Sequence, residues 1–241
     1  MSRNSAKLQR NTASFKCGVD HSDSYGRTYF PLFVDVRGKR CVVVGAGEIA
    51  ARKVEGLAHC GAEITVVSPR AVLDIRETAR AGRLQWLQRS FTEADVEGAF
   101  LVVAATATRR VNAAVFHACA ERGILCNSVD DPEHCNFIYP AMVRRGALQI
   151  AVSTGGRSPA LAARIRQELE ERFGPEWEAL LETLGAQRKK ILRTKKPDAN
   201  RARVLHAAAA EAVMSLLPRT RDVAPADHDS RKFSPSAIPT R

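Results

Sequence analysis

The central part of the sequence alternates between short apolar runs rich in β-branched residues and longer stretches with helical spacing. The apolar runs are RCVVV, AEITVV, AFLVVAA and ILCNSV, and segments such as EIAARKVEGLAHCG and TRRVNAAVFHACAERG separate them. Apolar strands that alternate with helices are typical of a parallel sheet covered on both faces. The pattern therefore predicts an α/β fold with a Rossmann-type parallel sheet over about residues 30–131.

A glycine turn, VVVGAGEIA, follows the first predicted strand and opens the first predicted helix. Gly45, Gly47 and Ala50 have the G-x-G-x-x-A spacing of dinucleotide-binding domains. In that motif the first glycine allows a tight turn, and the second lets the backbone approach a pyrophosphate. The N-terminus of the helix then offers N–H groups to the phosphates. A purely structural glycine turn is the alternative, but the order of strand, turn, helix and second strand favours a dinucleotide site.

The end of the second predicted strand departs from the usual NAD pattern. Ser68, Pro69 and Arg70 stand where an acidic residue would hold the ribose 2′-hydroxyl group of NAD. An arginine at this place is the usual feature of NADP sites. The motif by itself therefore leaves the choice between NAD and NADP open.

The C-terminal third of the sequence changes to a mainly helical pattern. Ser158 and Pro159 predict the start of a helix that stops before Gly174, and two further helices are expected at about 176–193 and 198–217. Asp198 is the expected cap of the last one. The termini, 1–28 and 218–241, are polar and without periodicity, so we expect both to be disordered.

Charge and composition narrow the possible partners. The net charge is +11, and residues 187–203 carry eight basic groups against Asp198. This suggests an acidic partner such as a nucleic acid, an anionic lipid or a polycarboxylate, although a solvated helix face is the alternative. Only three tyrosines and two tryptophans are present, without basic–aromatic interleaving, which disfavours nucleic acid.

Several other features indicate a cytoplasmic protein. An apolar run of about 18 residues would be needed for a membrane-spanning helix, and the sequence has none. The N-terminus lacks the apolar core of a secretory signal, so the cytoplasm is expected. The six cysteines have no metal-like spacing, and we expect reduced thiols and no structural metal. Cys41 and Cys126 lie in apolar runs, where cysteine behaves as a small hydrophobic residue.

Four ordered segments resemble the precorrin-2 dehydrogenase / sirohydrochlorin ferrochelatase family over about residues 29–217. They are YFPLFVDVRGKRCVVVGAGEIAARKVEGLAHCGAEITVVSP, VVAAT…VN, CNSVDDPEHCNFIYPA and ALQIAVSTGGRSPALAARIRQELE. The resemblance implies oxidation of precorrin-2, a tetrapyrrole, to sirohydrochlorin with NAD as cofactor; in many members Fe²⁺ insertion follows. It also implies a homodimer with a Rossmann domain at 29–141, a dimerisation segment at 142–175 and a helical C-terminal domain at 176–217.

The resemblance also implies site residues. The catalytic acid of the family corresponds to Asp130, which follows the strand CNSV. The nucleotide contacts correspond to Gly45, Ala46, Gly47, Glu48, Ile49, Ser68, Pro69, Arg70, Ala105 and Thr106, with Asn127 nearby.

Asp130 and Asp131 are adjacent, so the chemical and structural interpretations compete. A carboxylate at the carboxyl end of a strand could accept the proton that dehydrogenation releases, and we assign this role to Asp130. Asp131 directly precedes Pro132, which is a common turn signal, and we assign the turn to Asp131. The alternative function is a non-catalytic regulatory module that senses NAD, which would not need Asp130.

Overall fold

The computed structural model describes residues 28–194 and 199–216. The two predicted disordered tails, apart from Thr28, and the predicted cap Asp198 lie outside the described residues.

The N-terminal part of the described chain alternates strands and helices, as the sequence predicts. In order these are β1 (Arg40–Val44), α1 (Glu48–His59), β2 (Glu63–Val67), α2 (Leu73–Arg80), β3 (Gln85–Leu87), β4 (Leu101–Ala104), α3 (Arg109–Ala120) and β5 (Leu125–Ser128). A 3₁₀ turn at Glu93–Val96 precedes β4, and another at Pro132–His134 follows β5.

The five strands form one parallel sheet in the order β3-β2-β1-β4-β5. This confirms the predicted Rossmann-type α/β fold. The strand order reverses between β1 and β4, and ligands of such sheets bind outside the carboxyl ends of the strands at this point. Val44 pairs with Ala104, and Ala104 pairs with Ser128, so β1, β4 and β5 end at the same edge.

Alternate residues of the strands fill two separate apolar clusters, one on each face of the sheet. Val43 and Val66 pack with Ala50 of α1, whereas Val42 and Val102 pack with Val115 of α3, and all of these are fully buried. Burial of one valine side chain stabilises the fold by about 1.5–3 kcal/mol. Cys41 and Cys126 are also fully buried, as predicted, and the described cysteines form no disulfide.

The remaining elements are two strands and three helices. They are β6 (Ala141–Arg145), β7 (Leu148–Val152), α4 (Pro159–Arg172), α5 (Glu176–Thr194) and α6 (Ala199–Leu216). The Ser158 hydroxyl accepts a hydrogen bond from the Leu161 N–H at 3.2 Å, which confirms the predicted start of α4. β6 pairs with β7 in a small two-stranded sheet. The sequence did not predict β6, because AMVRR shows little alternation of apolar and polar residues.

The chain divides into two compact units. One contains the described residues up to 142 together with 151–167, and the other contains 143–150 and the described residues from 168 onwards. Within the second unit α5 contacts α6, and no described residue of either helix is buried. The domain limits expected at 141/142 and 175/176 stay predictions. Among the described residues, no helix has both the length and the apolar character needed to cross a membrane.

Candidate functional site

Gly45 follows β1 and lies between the ends of β2 and β4. Its φ is 105°, a conformation that side chains rarely adopt, and its N–H donates to the Val67 carbonyl at 2.9 Å. A Cβ atom at this position would collide with the carbonyl group of Ala105. The close packing of the chain itself therefore requires glycine here.

Gly47 has a different reason to be glycine. It caps α1 with an ordinary φ of −85°, and a Cβ atom there would meet no atom of the described residues within 4 Å. No side-chain hydrogen bond within the described part of the chain caps this helix, and Glu48 and Ile49 are exposed. The geometry leaves open space in front of the helix N-terminus, which fits the pyrophosphate of a dinucleotide.

The segment after β2 lies against the glycine turn. The Val72 N–H donates to the Ala46 carbonyl at 3.0 Å, which joins the two loops. The Ser68 hydroxyl donates to the Arg70 carbonyl at 2.7 Å, and Pro69 and Arg70 are exposed. The fold thus brings the predicted residues 45–49 and 68–70 together at the carboxyl edge of the sheet.

Thr106, at the end of β4, is fixed by a buried asparagine that the sequence analysis did not single out. The Asn112 side-chain oxygen accepts hydrogen bonds from the Thr106 hydroxyl at 2.7 Å and the Thr106 N–H at 3.2 Å. The Asn112 amide group donates to the Thr106 carbonyl at 3.1 Å. Asn112 is 3% exposed. Asn112 shares a helix face with the apolar Val115, Ala118 and Cys119, and this was the available signal, because buried amides need partners.

Asp130 begins a left-handed turn two residues beyond β5. Its φ is 57°, and it is the one non-glycine residue with positive φ in residues 28–194 and 199–216. Aspartate tolerates the left-handed region, and Asp130 adopts it. Asp131 directly precedes the 3₁₀ turn at Pro132–His134, as the sequence predicts, and it pairs with His134, with 2.8 Å between its carboxylate oxygen and Nδ1. Asp130 remains exposed to solvent.

The chain after Asp130 is held against β5 by asparagine side chains. The Asn136 side chain accepts from the Cys126 N–H at 2.7 Å and donates to the Ile124 carbonyl at 2.9 Å. The buried Asn127 amide donates to the Phe137 carbonyl at 3.0 Å. The Asn127 amide therefore supports the Asp130 turn, and its contact with a nucleotide stays a prediction.

A lysine of α1 faces the same loop. The Lys53 Nζ atom lies 3.8 Å above the centre of the Tyr139 ring, and the Tyr139 and Phe137 rings are 5.3 Å apart. Partial burial lowers the pKa of Lys53, Arg52 lowers it further, and the negative charge of Asp130 raises it. The structure therefore places a half-buried cation against the aromatic pair of Phe137 and Tyr139.

His134 packs in a small ring cluster with Phe116 and His117 of α3. Its ring centre is 5.4 Å from that of Phe116 and 5.5 Å from that of His117. Within the described ranges, no three His, Cys, Asp or Glu side chains are grouped so that they could hold a metal ion. His134 thus links Asp131 to α3, through its contact with the Asp131 carboxylate and its packing against Phe116 and His117.

Two family models match successive parts of the chain. Residues 32–141 match a family model of NAD(P)-binding domains, and residues 145–172 match the model of the sirohaem biosynthesis protein central region. A nicotinamide dinucleotide is therefore the cofactor class that this fold binds, and the open helix N-terminus at Gly47 fits it.

Two sequence relatives illustrate the match. The chain is 40% identical over 163 residues to siroheme synthase 1 of Pectobacterium atrosepticum, covering 68% of this chain and 34% of that protein. It is 42% identical over 142 residues to the siroheme synthase of Photorhabdus laumondii, covering 59% of this chain and 30% of that protein. The chain thus spans about a third of the length of these curated relatives.

A solved structure matches over nearly its whole length. The structure described as SirC, precorrin-2 dehydrogenase, has a TM-score of 0.66 and 27% sequence identity to this chain. The match covers 78% of this chain and 98% of that one. The similarity therefore extends beyond the parallel sheet to the elements that follow it.

Proposed function

Because this chain belongs to the precorrin-2 dehydrogenase / sirohydrochlorin ferrochelatase family, we propose that it oxidises precorrin-2 to sirohydrochlorin with NAD⁺ in siroheme biosynthesis. The observation that carries the proposal is the shared sheet edge. The glycine turn follows β1 and the Asp130 turn follows β5, with the end of β4 between them at the same edge of the sheet, so a dinucleotide bound at the glycine turn would extend toward the carboxylate.

The dinucleotide would be held by the residues that the sequence predicted. The N-terminus of α1 at Gly47, Glu48 and Ile49 would receive the pyrophosphate, with Gly45 and Ala46 forming the turn. The loop of Ser68, Pro69 and Arg70 would lie beside the adenosine ribose, and the β4 end at Ala105 and Thr106 would line the path toward the nicotinamide. We propose NAD⁺ over NADP⁺ because the family uses NAD even though its members, like this chain, lack the acidic residue after the second strand.

Asp130 would accept the proton that the oxidation releases. A bound nicotinamide supplies the acceptor for the hydride, and the substrate loses a proton as the new double bond forms. The Asp130 carboxylate is exposed at the sheet edge and held outside the strand by its left-handed turn, so it can meet a substrate and return the proton to water. Asp131 pairs with His134 and is the weaker candidate.

Further features of the family stay proposals for this chain. Insertion of Fe²⁺ into sirohydrochlorin removes two N–H protons, and Asp130 could accept these as well. We also propose that the protein acts as a homodimer and that the reaction takes place in the cytoplasm. Iron in this scheme is a substrate.

The direct test is incubation of the purified protein with precorrin-2 and either NAD⁺ or NADP⁺. Absorbance should report NADH and sirohydrochlorin forming together, with kcat/KM higher for NAD⁺ than for NADP⁺. Dinucleotide binding without turnover would instead favour the regulatory module. A second incubation of sirohydrochlorin with Fe²⁺ or Co²⁺ decides whether the chain also inserts metal.

A further inference from the structure

The proposed catalytic acid stands in a tight turn, residues 128–131, whose backbone conformation is uncommon. The Asp131 N–H donates to the Ser128 carbonyl at 3.4 Å, which closes the turn, and Asp130 inside it has a φ of 57°. A residue other than glycine persists in this left-handed region where the surrounding structure holds it, and such residues cluster at active sites. The contacts that hold this turn therefore bear on the function.

The thiol of Cys135 contacts both ends of this turn. Its Sγ atom accepts a hydrogen bond from the Ser128 N–H at 3.2 Å. The carbonyl oxygens of Ser128 and Asp131 both lie 3.2 Å from the same sulfur and are the acceptors for its S–H group. The Asn127 side-chain amide donates to the sulfur at 3.5 Å. Cys135 is 3% exposed, so little water competes for these contacts. One buried atom thus ties the first residue of the turn to the last.

We propose that Cys135 is a positioning residue for Asp130, because its thiol fixes the turn that carries the carboxylate at the carboxyl edge of the sheet. The proposal rests on the proposed dehydrogenase function and deepens it. Asp130 is exposed, so the place of its carboxylate depends on the backbone that carries it. A displacement of a reacting group by about 1 Å can lower a rate on the order of 100-fold. A thiol is a weak donor and a weak acceptor, so it fixes the turn through its several contacts together.

The kinetic test compares three variants of Cys135 with one of Cys41, each at a temperature where it stays folded. Cys135→Ala should lower kcat about tenfold and leave the KM values for precorrin-2 and NAD⁺ unchanged, because the place of the proton acceptor acts on the chemical step. Cys135→Val fills the space without polar atoms and should show the same loss, also where the alanine variant does not fold. Cys135→Ser keeps a donor and an acceptor and should restore most of kcat. Cys41 is fully buried in an apolar cluster near the start of β1, so Cys41→Ala is the matched control and should keep the wild-type kcat.

Amide hydrogen exchange, followed by NMR, gives a second measurement that does not depend on catalysis. The Ser128 N–H has the Cys135 sulfur as its acceptor, so Cys135→Ala should speed its exchange about tenfold. The Val43 N–H in the middle of β1 reports opening of the whole sheet and is the reference for this increase. Cys135→Ser should show a smaller increase, and Cys41→Ala should show no selective increase at Ser128.

The outcomes separate the inference from the proposed function. An active wild type with unchanged kcat in Cys135→Ala and Cys135→Val overturns the inference. So do equal losses of kcat in Cys135→Val and Cys135→Ser, because the hydrogen bonds would then not be the cause. A higher KM for NAD⁺ at constant kcat also overturns it, since the thiol would then act on the cofactor site. A wild-type protein that never oxidises precorrin-2 refutes the function, and exchange of the Ser128 N–H then decides alone whether Cys135 fixes the turn.

Discussion

The two edges of the parallel sheet differ in how their polar groups are used. At the amino edge the Arg40 guanidinium donates to the carbonyl groups of Asp95 and Glu97, at 3.0 and 2.6 Å. The buried Asp95 carboxylate binds Arg89 through both oxygens and accepts from the Thr92 N–H at 2.8 Å. At the carboxyl edge, Gly47 fronts open space and Asp130 is exposed.

This difference separates stability from function. The polar groups of the amino edge satisfy one another, so they fix the backbone and have little capacity for a ligand. At the carboxyl edge, the backbone fixes the positions of Gly47 and Asp130, while the N–H groups of the α1 N-terminus and the Asp130 carboxylate stay open to a ligand. Substitutions at the amino edge should therefore lower the free energy of unfolding, and substitutions at the carboxyl edge should lower ligand binding or kcat.

The largest effect is expected for the proposed catalytic acid. Asp130→Ala should reduce the rate of sirohydrochlorin formation at least about 100-fold, because the proton acceptor is lost. Thermal unfolding should change little, since the side chain is exposed. Asp131→Asn is the matched control and should keep most of the activity while weakening the His134 pair. Full activity in Asp130→Ala would refute the assignment.

The two glycines of the turn offer a comparison within one edge. Gly45→Ala should lower the free energy of unfolding by at least about 3 kcal/mol, because of the positive φ and the contact with Ala105. Gly47→Ala should lower it by less than about 1 kcal/mol and weaken NAD⁺ binding about tenfold. Urea unfolding and isothermal titration calorimetry measure the two effects. Equal losses of stability would contradict the distinction.

Asp95 tests the amino edge. Asp95→Asn should lower the free energy of unfolding by about 1–2 kcal/mol at neutral pH, because the buried carboxylate loses its charge-assisted hydrogen bonds to the half-exposed Arg89 and to the Thr92 N–H. At a temperature where the variant stays folded, kcat should equal that of the wild type. A loss of kcat without a loss of stability would contradict the assignment of stability to the amino edge and of function to the carboxyl edge.

The pH dependence of this variant has a defined sign. The hydrogen bonds of Arg89 hold the pKa of Asp95 below its ordinary value, with the Thr92 N–H adding to the effect. The carboxylate therefore stabilises the fold above about pH 4, the ordinary aspartate value. This contribution is lost as the pH falls through the lowered pKa of the folded state. Urea unfolding of the wild type and of Asp95→Asn should show a difference in the free energy of unfolding that becomes smaller as the pH falls below about 4.

The smallest effect is expected for the basic residues of α5, which belong to neither edge of the sheet. Reversing the exposed Arg188, Lys189 and Lys190 of α5 to Glu should raise the KM for precorrin-2 about tenfold at low salt if they attract this polycarboxylate. The kcat value should not change, and added salt should remove the effect. The same reversal of the exposed Lys39, Arg80 and Arg83 is the control. An unchanged KM at low salt would favour a solvated helix face.

Local signals in the sequence were enough for the main features of the fold. The apolar runs predicted β1, β2, β4 and β5, and Ser158 and Pro159 predicted the start of α4. These predictions succeed because strand burial and helix capping depend on residues close together in sequence. β6 was missed, because AMVRR lacks a clear period. The site residues 45–49, 68–70 and 105–106 were placed by motif and resemblance.

The sequence by itself determined the parallel α/β class, the glycine turn and the presence of an acid after β5. Only the tertiary structure decided that Asp130 makes the left-handed turn, that Asn112 fixes Thr106, and that Lys53 lies above the Tyr139 ring. The reason is physical. A strand or a turn follows from neighbouring residues, whereas these pairs join residues that are brought together by the packing of α1, β4 and β5.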